Sequence, residues 1–421
     1  MKGRIIALLD INSCYASITV QENPSLRGKP VAVTGATEER CGIVLAANRE
    51  AKICGVKTGM LNREAKAWCP ELIQVPPDFY QYQRYSAIVQ KIYERYGPTE
   101  MFSIDEGWID LTTLCKDVED GAVICREIAN EVMFETGLTI SVGVANNKVT
   151  AKLGSEYTPQ GSKGKVPGTI TAIPPERYEE MCYGLKVDEL LGIGGRLRPR
   201  MNNIGIYTIG DLARCEPDYL QQKFGKMGRI LQVRARGLDA SPVIPGHTCA
   251  PYIKSFGNST TTPFDLCKDE EVWAVIYNMA EAVGTRMRRH GFKARLVEIS
   301  FRNSTMFGCS RQHRMSLATD CSLTIAKQAF ELFKQHAPRE YTIRALGVRA
   351  GDLQPGWYPE QTTLFTDPMK NQRLSDMEYA VDKVRARFGF YSVQRAVMMT
   401  VDPKLVIDAA GEHTVHPHSF Y

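Results

Sequence analysis

The sequence predicts a multidomain protein of the α/β (α+β) class, and three observations predict it. Its 421 residues exceed one ordinary domain and suit two to four. Over roughly the first 170 residues, short β-rich runs alternate with helical periods and include a hairpin, the pattern of a ferredoxin-like α/β domain. Residues 253–352 then read strand, helix, two strands, helix, strand, a βαββαβ unit with two helices covering a small sheet.

The elements follow in order. Arg4 to Leu9 is an apolar run ending at Asp10, a buried strand by pattern. Val31–Val33 and Ile43–Ala46 read as strands, and Asn48–Cys54 and Asn62–Trp68 as helices. Tyr82, Tyr85, Val89, Ile92 and Tyr96 recur at helical spacing within 79–96. Met101–Leu111 reads as a hairpin with its turn near Glu106–Gly107, Val118–Phe134 as a helix, and Leu138–Ala145 as a strand before a helix from about Asn146. Residues 158–168, with Pro159, Gly161, Gly164, Pro167 and Gly168, read as a loop. Short helices fill Pro174–Leu238, and the proline-containing, uncharged stretch 241–251 reads as a second linker. The βαββαβ unit comprises a strand from Ile253, helix Glu270–His290, strands Lys293–Arg302 and Met306–Leu317, helix Leu323–Ala337 and strand Thr342–Asp352. A polar tail follows, with a helix expected over about Leu374–Phe388.

Composition excludes several classes. With 43% hydrophobic and 24% charged residues, the chain is neither collagen-like, mucin-like nor wholly disordered. No apolar window approaches the ~18 residues of a membrane helix. The opening run Ile5–Leu9 is too short for a signal peptide and is broken by Asp10. The twelve cysteines include no C-x-x-C pair, which suits a reducing compartment and speaks against structural zinc. The expected location is cytoplasmic, with no membrane partner.

The net charge of +5 names no partner, but its distribution is uneven. Arg286, Arg288, Arg289, Lys293, Arg295, Arg302, Arg311 and Arg314 face one acid, Glu298, within a single stretch. Such a block is more often a solvated face. On a sheet beside other phosphate-binding features it becomes a nucleic-acid surface.

Asp10 at a strand end and Asp105 and Glu106 at a hairpin form a carboxylate set able to hold two Mg²⁺ ions, which prefer oxygen ligands. Paired ions of this kind clamp the attacking and leaving oxygens of phosphoryl transfer. Each acid alone also reads as turn or cap chemistry, so position leaves the matter open.

The surrounding blocks decide it. Asp10-Ile-Asn-Ser-Cys-Tyr-Ala-Ser17, Asn23-Pro-Ser-Leu-Arg-Gly-Lys-Pro30, Asn48-Arg-Glu-Ala-Lys52, Gly55-Val-Lys-Thr-Gly59, Ser103-Ile-Asp-Glu106 and Ser141-Val-Gly-Val-Ala-Asn-Asn-Lys148 stand in one order. This order closely resembles the Y-family of translesion DNA polymerases, the UmuC-type branch in particular, over residues 4–352. The resemblance implies a palm (1–11 and 78–168), fingers (12–77), a helix-hairpin-helix thumb (172–240), a βαββαβ little-finger domain (248–352) and a tail (353–421). It implies Mg²⁺ ligands at Asp10, the Ile11 carbonyl, Asp105 and Glu106, with Glu106 nearest the primer 3′-hydroxyl. Ser13, Cys14, Tyr15, Arg49, Lys52 and Lys152 match nucleotide-binding positions, and Tyr15 the steric gate against ribonucleotides. Cys14 stands where relatives carry an aromatic residue, and Ala46 and Arg49 where many carry Thr and Tyr. Arg49 adds a charged phosphate contact, and Ala46 removes a hydroxyl.

Leu191-Gly-Ile-Gly-Gly195 resembles the hairpin of a helix-hairpin-helix, placing Gly192, Gly194 and Gly195 near DNA phosphates. Gln361-Thr-Thr-Leu-Phe365 resembles a sliding-clamp-binding peptide, with Gln361, Leu364 and Phe365 as its contacts. His413, His416 and His418 have no acid or cysteine pattern beside them and read as a disordered end. The implied activity is template-directed, low-fidelity DNA synthesis across damage, without proofreading, because no exonuclease domain fits beside the implied domains. Implied partners are primer–template DNA, dNTP and the sliding clamp. The UmuC-type resemblance raises a recombinase or a UmuD-like subunit as a further partner. The rival readings are a catalytically inactive DNA-binding adaptor and a nucleotide cyclase, whose fold shares a similar palm. The intact acids oppose the first, and the hairpin and basic terminal unit oppose the second.

Overall fold

The computed structural model describes residues 3–35, 42–157, 168–246, 253–338, 340–359 and 368–408. They form two compact units, one from residues within 1–34 and 44–251, the other from residues within 252–416.

In the first unit, β1 (Ile6–Ile11) leads through α1 (Cys14–Glu22) to β2 (Val31–Thr34), β3 (Val44–Ala47), α2 (Arg49–Ile53), α3 (Asn62–Trp68) and β4 (Ile73–Val75). Strands β3, β2 and β4 make a small three-stranded sheet. Asn48 organises this region. Its side-chain oxygen accepts from the N–H of Ala51, capping α2, and from that of Val31, while its amide donates to the Lys29 carbonyl.

The chain continues through α4 (Phe79–Glu94), β5 (Thr99–Met101), β6 (Glu106–Asp110), α5 (Val118–Thr136), β7 (Ile140–Ala145), α6 (Lys148–Glu156) and β8 (Ile170–Ile173). The main sheet runs β5-β6-β1-β7-β8, with β1 central and antiparallel to both neighbours. Ala7, Leu9 and Ile11 point to one face, in a core with residues of α1, α4 and α5. Ile6 and Leu8 point to the other, beneath α6 and the helices that follow. The strand is therefore apolar on both faces, which is why it read as a continuous run.

Helix α6 lies unusually close to the sheet. A Cβ on Gly143 would sit 1.9 Å from the Ala151 carbonyl oxygen, and one on Gly154 would sit 2.9 Å from the Gly143 Cα. Backbone thus packs on backbone.

Helices α7 (Tyr178–Cys182), α8 (Leu197–Asn202), α9 (Ile209–Arg214), α10 (Pro217–Phe224) and α11 (Lys226–Ala235) complete the unit. Leu190, Ile193, Met201, Ile209, Leu212 and Leu231 share their core with Ile6, Leu8 and Val149 of the sheet layer.

The second unit comprises β9 (Ser255–Leu266), α12 (Asp269–Arg289), β10 (Phe292–Asn303), β11 (Gly308–Thr319), α13 (Ser322–His336), β12 (Ile343–Pro355) and α14 (Pro368–Phe388). Its sheet order is β11-β10-β12-β9, all antiparallel, with α12 and α13 packed on one face.

Three sequence expectations change. The hairpin turn falls at Phe102–Asp105, and Glu106 opens the second strand, because the N–H groups of Phe102 and Ser103 both donate to the Glu106 carbonyl. Strands β4 and β8 were not foreseen; three or four residues carry no readable period. The segment read as a polar tail folds: beyond α14, Met398 and Leu405 are buried in the core of the second unit. The clamp-like peptide Gln361–Phe365 and the three terminal histidines lie outside the described residues.

Candidate active site

Strand register brings the three acids to one end of the main sheet. Asp10 on β1 is the cross-strand partner of Glu106 on β6, and the Ile11 N–H donates to the Asp105 carbonyl at 2.8 Å. Paired positions of this kind place their Cβ atoms roughly 4.5–5.5 Å apart on the same face. Ser103 fixes the approach. Its hydroxyl accepts from the N–H of Glu106 at 3.2 Å and hydrogen-bonds to the Asp105 carboxylate.

Lys152 of α6 reaches the same place, its ammonium 2.6 Å from Glu106. Burial pushes the Glu106 carboxyl up, Lys152 pulls it down, and Asp10 and Asp105 push it up again; the net lies above the usual carboxylate range. Burial works against the charge of Lys152, but Glu106, Glu156 and Asp10 outweigh it and raise its ammonium. The carboxylates are adjacent without forming a closed cage. Among the described residues, no three His, Cys, Asp or Glu side chains stand together as a preformed metal cluster. Glu106 turns toward Lys152 and Asp105 toward Ser103.

The turn after β1 is held tightly. Ser141 donates to the Asn12 side-chain oxygen at 2.8 Å, and Ser17 to the Asn12 carbonyl at 2.6 Å. Ser13 sits at φ 50°, a left-handed conformation costly for a side-chain-bearing residue and concentrated at functional sites. Lys52 donates to the Ser13 hydroxyl at 2.7 Å, so α2 and the turn meet, with Arg49 exposed at the first residue of α2.

Cys14 is buried under the turn, its thiol pushed far up by burial and by Asp105 and Asp10. Tyr15 is half-buried and stacked on Tyr82 of α4, with ring centroids 4.3 Å apart and planes 10° from parallel. Phe79 meets both rings edge-on. Burial pushes the Tyr15 hydroxyl up to about 12, so it stays protonated. Sequence reasoning missed this support for Tyr15. Tyr82 showed a helical period, which cannot disclose a stacking partner 67 residues away.

In the helical region, Gly192 adopts φ 105°, a backbone conformation that side-chain-bearing residues rarely take, beside Leu231. Gly194 and Gly195 face open space, leaving their backbone approachable.

The basic block of the second unit does not form one face. Arg288 is buried, its guanidinium 2.6 Å from Asp382 and 3.6 Å from Glu378 of α14. This removes it from the DNA-contact set, since it neutralises buried acids. Arg286 is half-buried and donates to the Gly257 carbonyl at 2.7 Å. Arg295 donates to the Ser316 carbonyl at 2.9 Å. Arg289 is exposed at the end of α12. Arg311 pairs with core-facing Ile299, on the helix-covered side of an edge strand, and is exposed there. Arg302 and Arg314 alternate onto the opposite, open face of the sheet. There they join Arg349, which the sequence reading missed, and Ser255, Gly257, Ser259, Thr261, Ser300 and Gly347. Small polar residues flanked by arginines leave a backbone-rich surface a polyanion can approach closely.

The impB/mucB/samB family matches residues 9–156, and its C-terminal domain matches residues 253–364. The chain is 40% identical over 397 residues to DNA polymerase IV of Acetivibrio thermocellus, covering 94% of this chain and 98% of that protein. It is 36% identical to DNA polymerase IV of Pelotomaculum thermopropionicum, covering 98% of this chain and 99% of that protein. Among solved structures, a Y-family DNA polymerase chimera matches with a TM-score of 0.72 at 23% identity, over 83% of this chain and 98% of that one, a likeness of fold. The chain belongs to the impB/mucB/samB family.

Proposed function

We infer that the catalytic centre of this chain is the end of the main sheet where Asp10, Asp105 and Glu106 meet. The chain is a template-directed DNA polymerase of the translesion type, as its relatives and its Y-family fold indicate. Its reaction is attack of a primer 3′-hydroxyl on the α-phosphate of a dNTP, releasing pyrophosphate. The observation that carries the site is the register pairing of Asp10 with Glu106, with Asp105 bonded to the same strand.

Family members depend on a metal, and the residues here fit one. Two carboxylates on neighbouring strands and a third in the adjoining turn, beside the Lys152 ammonium, are an anionic donor set of the kind hard divalent cations take. Asp10, Asp105, Glu106 and the Ile11 carbonyl would hold two Mg²⁺ ions. Bound there, the ions supply charge stabilisation for the attacking and leaving oxygens. The chain's own groups do the rest. Lys152 offsets negative charge beside Glu106. The strained Ser13 turn, with Cys14 and Tyr15 behind it, offers backbone N–H groups to a triphosphate. Lys52 and Arg49 supply the cations that neutralise it. The Tyr15 ring, backed by Tyr82, excludes a 2′-hydroxyl.

The strand and helix pattern supports a palm over 1–11 and 78–168, fingers over 12–77, a thumb over 172–240 and a little finger over 248–352. Gly194 and Gly195 present backbone to duplex phosphates, and the open sheet face with Arg302, Arg314 and Arg349 grips the duplex. The Gln361-x-x-Leu-Phe365 peptide engages a sliding clamp. Primer extension on a plain template with Mg²⁺ and dNTPs tests the reading. Extension that disappears in Asp105→Ala and Glu106→Ala supports it, and near-normal extension by Glu106→Ala overturns it.

A further inference from the structure

The stretch after α11 lies on the surface of the first unit, with residues 238–246 exposed or half-buried. Apolar packing does little to hold it, yet polar groups fasten it along its length. The Arg4 guanidinium donates to the carbonyls of Asp239, Ala240 and Ser241, the last at 2.7 Å. The Asn147 amide donates to the Gly237 carbonyl at 2.9 Å. The densest node is Glu100 with Lys148. The ammonium of Lys148 is 2.7 Å from both Glu100 oxygens and donates to the Pro242 carbonyl at 3.1 Å. Glu100 also accepts the Ile244 N–H at 2.6 Å. The Trp108 ring lies 4.5 Å from the ammonium, and its indole N–H donates to the Lys148 carbonyl at 3.1 Å.

These groups sit on the elements of the catalytic sheet. Glu100 is on β5, Trp108 is on β6 behind Glu106, and Lys148 opens α6, which carries Lys152. The ion pair is largely withdrawn from water, with side-chain exposures of 10% for Lys148 and 24% for Glu100. Its hydrogen bonds to the strap are therefore charge-assisted and little screened.

We propose that Glu100 and Lys148 are positioning residues that fasten the 237–246 strap to the catalytic sheet and thereby govern how firmly the second unit holds primer–template DNA. The effect on DNA rests on the reading that the second unit grips the duplex; the strap itself does not. Releasing it adds nine residues, Leu238–Gly246, to the chain joining the two units. Effective concentration falls with tether length, so the grip weakens while the chemistry at the acids does not.

The test uses the full-length chain with Glu100→Ala, Glu100→Gln and Arg4→Ala. Thermolysin cleavage before Leu238, Val243 and Ile244 reads the strap directly. Steady-state kinetics, with DNA and dNTP varied separately, read its consequence. Glu100→Ala should raise cleavage about tenfold by local opening. It should raise the KM for primer–template about threefold while leaving kcat and the dNTP KM unchanged. Glu100→Gln, which keeps an acceptor for Ile244, should fall between. Arg4→Ala should shift both readouts in the same direction, and it carries the test if Glu100→Ala does not fold. Unchanged cleavage in both alanine variants overturns the staple. Raised cleavage with an unchanged DNA KM overturns its role in holding DNA, and so does a fall in kcat alone. If the wild-type chain extends no primer, the polymerase reading fails separately. Cleavage and the Kd for primer–template then decide the strap.

Discussion

Glu106 and Tyr15 show what single side chains contribute. Glu106 is buried beside Asp10 and Asp105 and paired with Lys152, so its charge is set by opposing neighbours. Asp105→Ala or Glu106→Ala should lower primer extension at least ~10³-fold, about 4 kcal/mol of transition-state stabilisation, as read from kcat/KM. Thermal melting without metal should be unchanged or improved for Asp105→Ala, since clustered like charge is relieved; Glu106→Ala also gives up the Lys152 pair. Tyr15 is backed by Tyr82 and met from the side by Phe79, which limits how far its ring can shift. Tyr15→Ala should raise the rNTP-to-dNTP ratio of kcat/KM by roughly tens-fold, because a fixed steric clash penalises only the ribonucleotide transition state. An unchanged ratio would place sugar selection elsewhere.

At the scale of elements, the second unit's sheet separates its arginines into two kinds. Arg302, Arg314 and Arg349 lie on the open face, and each should contribute to counterion release. Mutating any one to Ala should weaken DNA binding at every sequence and reduce the salt slope by about one. Arg288→Met should leave that slope unchanged and lower the melting temperature, because Glu378 and Asp382 lose a buried partner, a loss worth about 3–5 kcal/mol in comparable cases. The block of charge was visible in the sequence, but its division was not. Alternation along β10 and β11 depends on the register shift between Ala294 and Leu296, and Arg288's partners lie about a hundred residues away on α14. What was legible was local: the apolar run of β1, the helical periods of α4 and α5, and the presence of α12 and α13. The hairpin turn was misplaced by a few residues because Ser103, rather than Glu106–Gly107, supplies the turn chemistry.

Across the whole molecule, the sequence order of motifs pointed to Asp10, Asp105 and Glu106 as candidate acids before any geometry did, since motifs report chemistry that periodicity cannot. It did not disclose that residues 368–408 return to the second unit. That return is made by ion pairs of Glu281 with Arg385 and Arg395 and of Arg288 with Asp382 and Glu378, together with burial of Met398 and Leu405, none of which leaves a local pattern. The clamp peptide is a prediction at the same scale. A synthetic peptide of residues 358–368 should bind a sliding clamp with micromolar affinity. Leu364→Ala with Phe365→Ala should abolish clamp stimulation and preserve clamp-free extension, because a tether changes local concentration and leaves chemistry alone. Loss of thermal stability in that double variant, with no peptide binding, would instead mean that the two side chains fill a core.

Gly143 and Gly154 let α6 rest directly on β7, and that contact sets how far Lys152 stands from Glu106. The two glycines thus act as a spacer of zero thickness between an acid and its cationic partner. Any methyl group inserted there works as a shim. In a saturation library, Ala at Gly154 should therefore separate two properties that usually fail together, sparing solubility and secondary structure while silencing extension. At Gly143, where backbone atoms leave less room still, even Ala should be lost from the folded population.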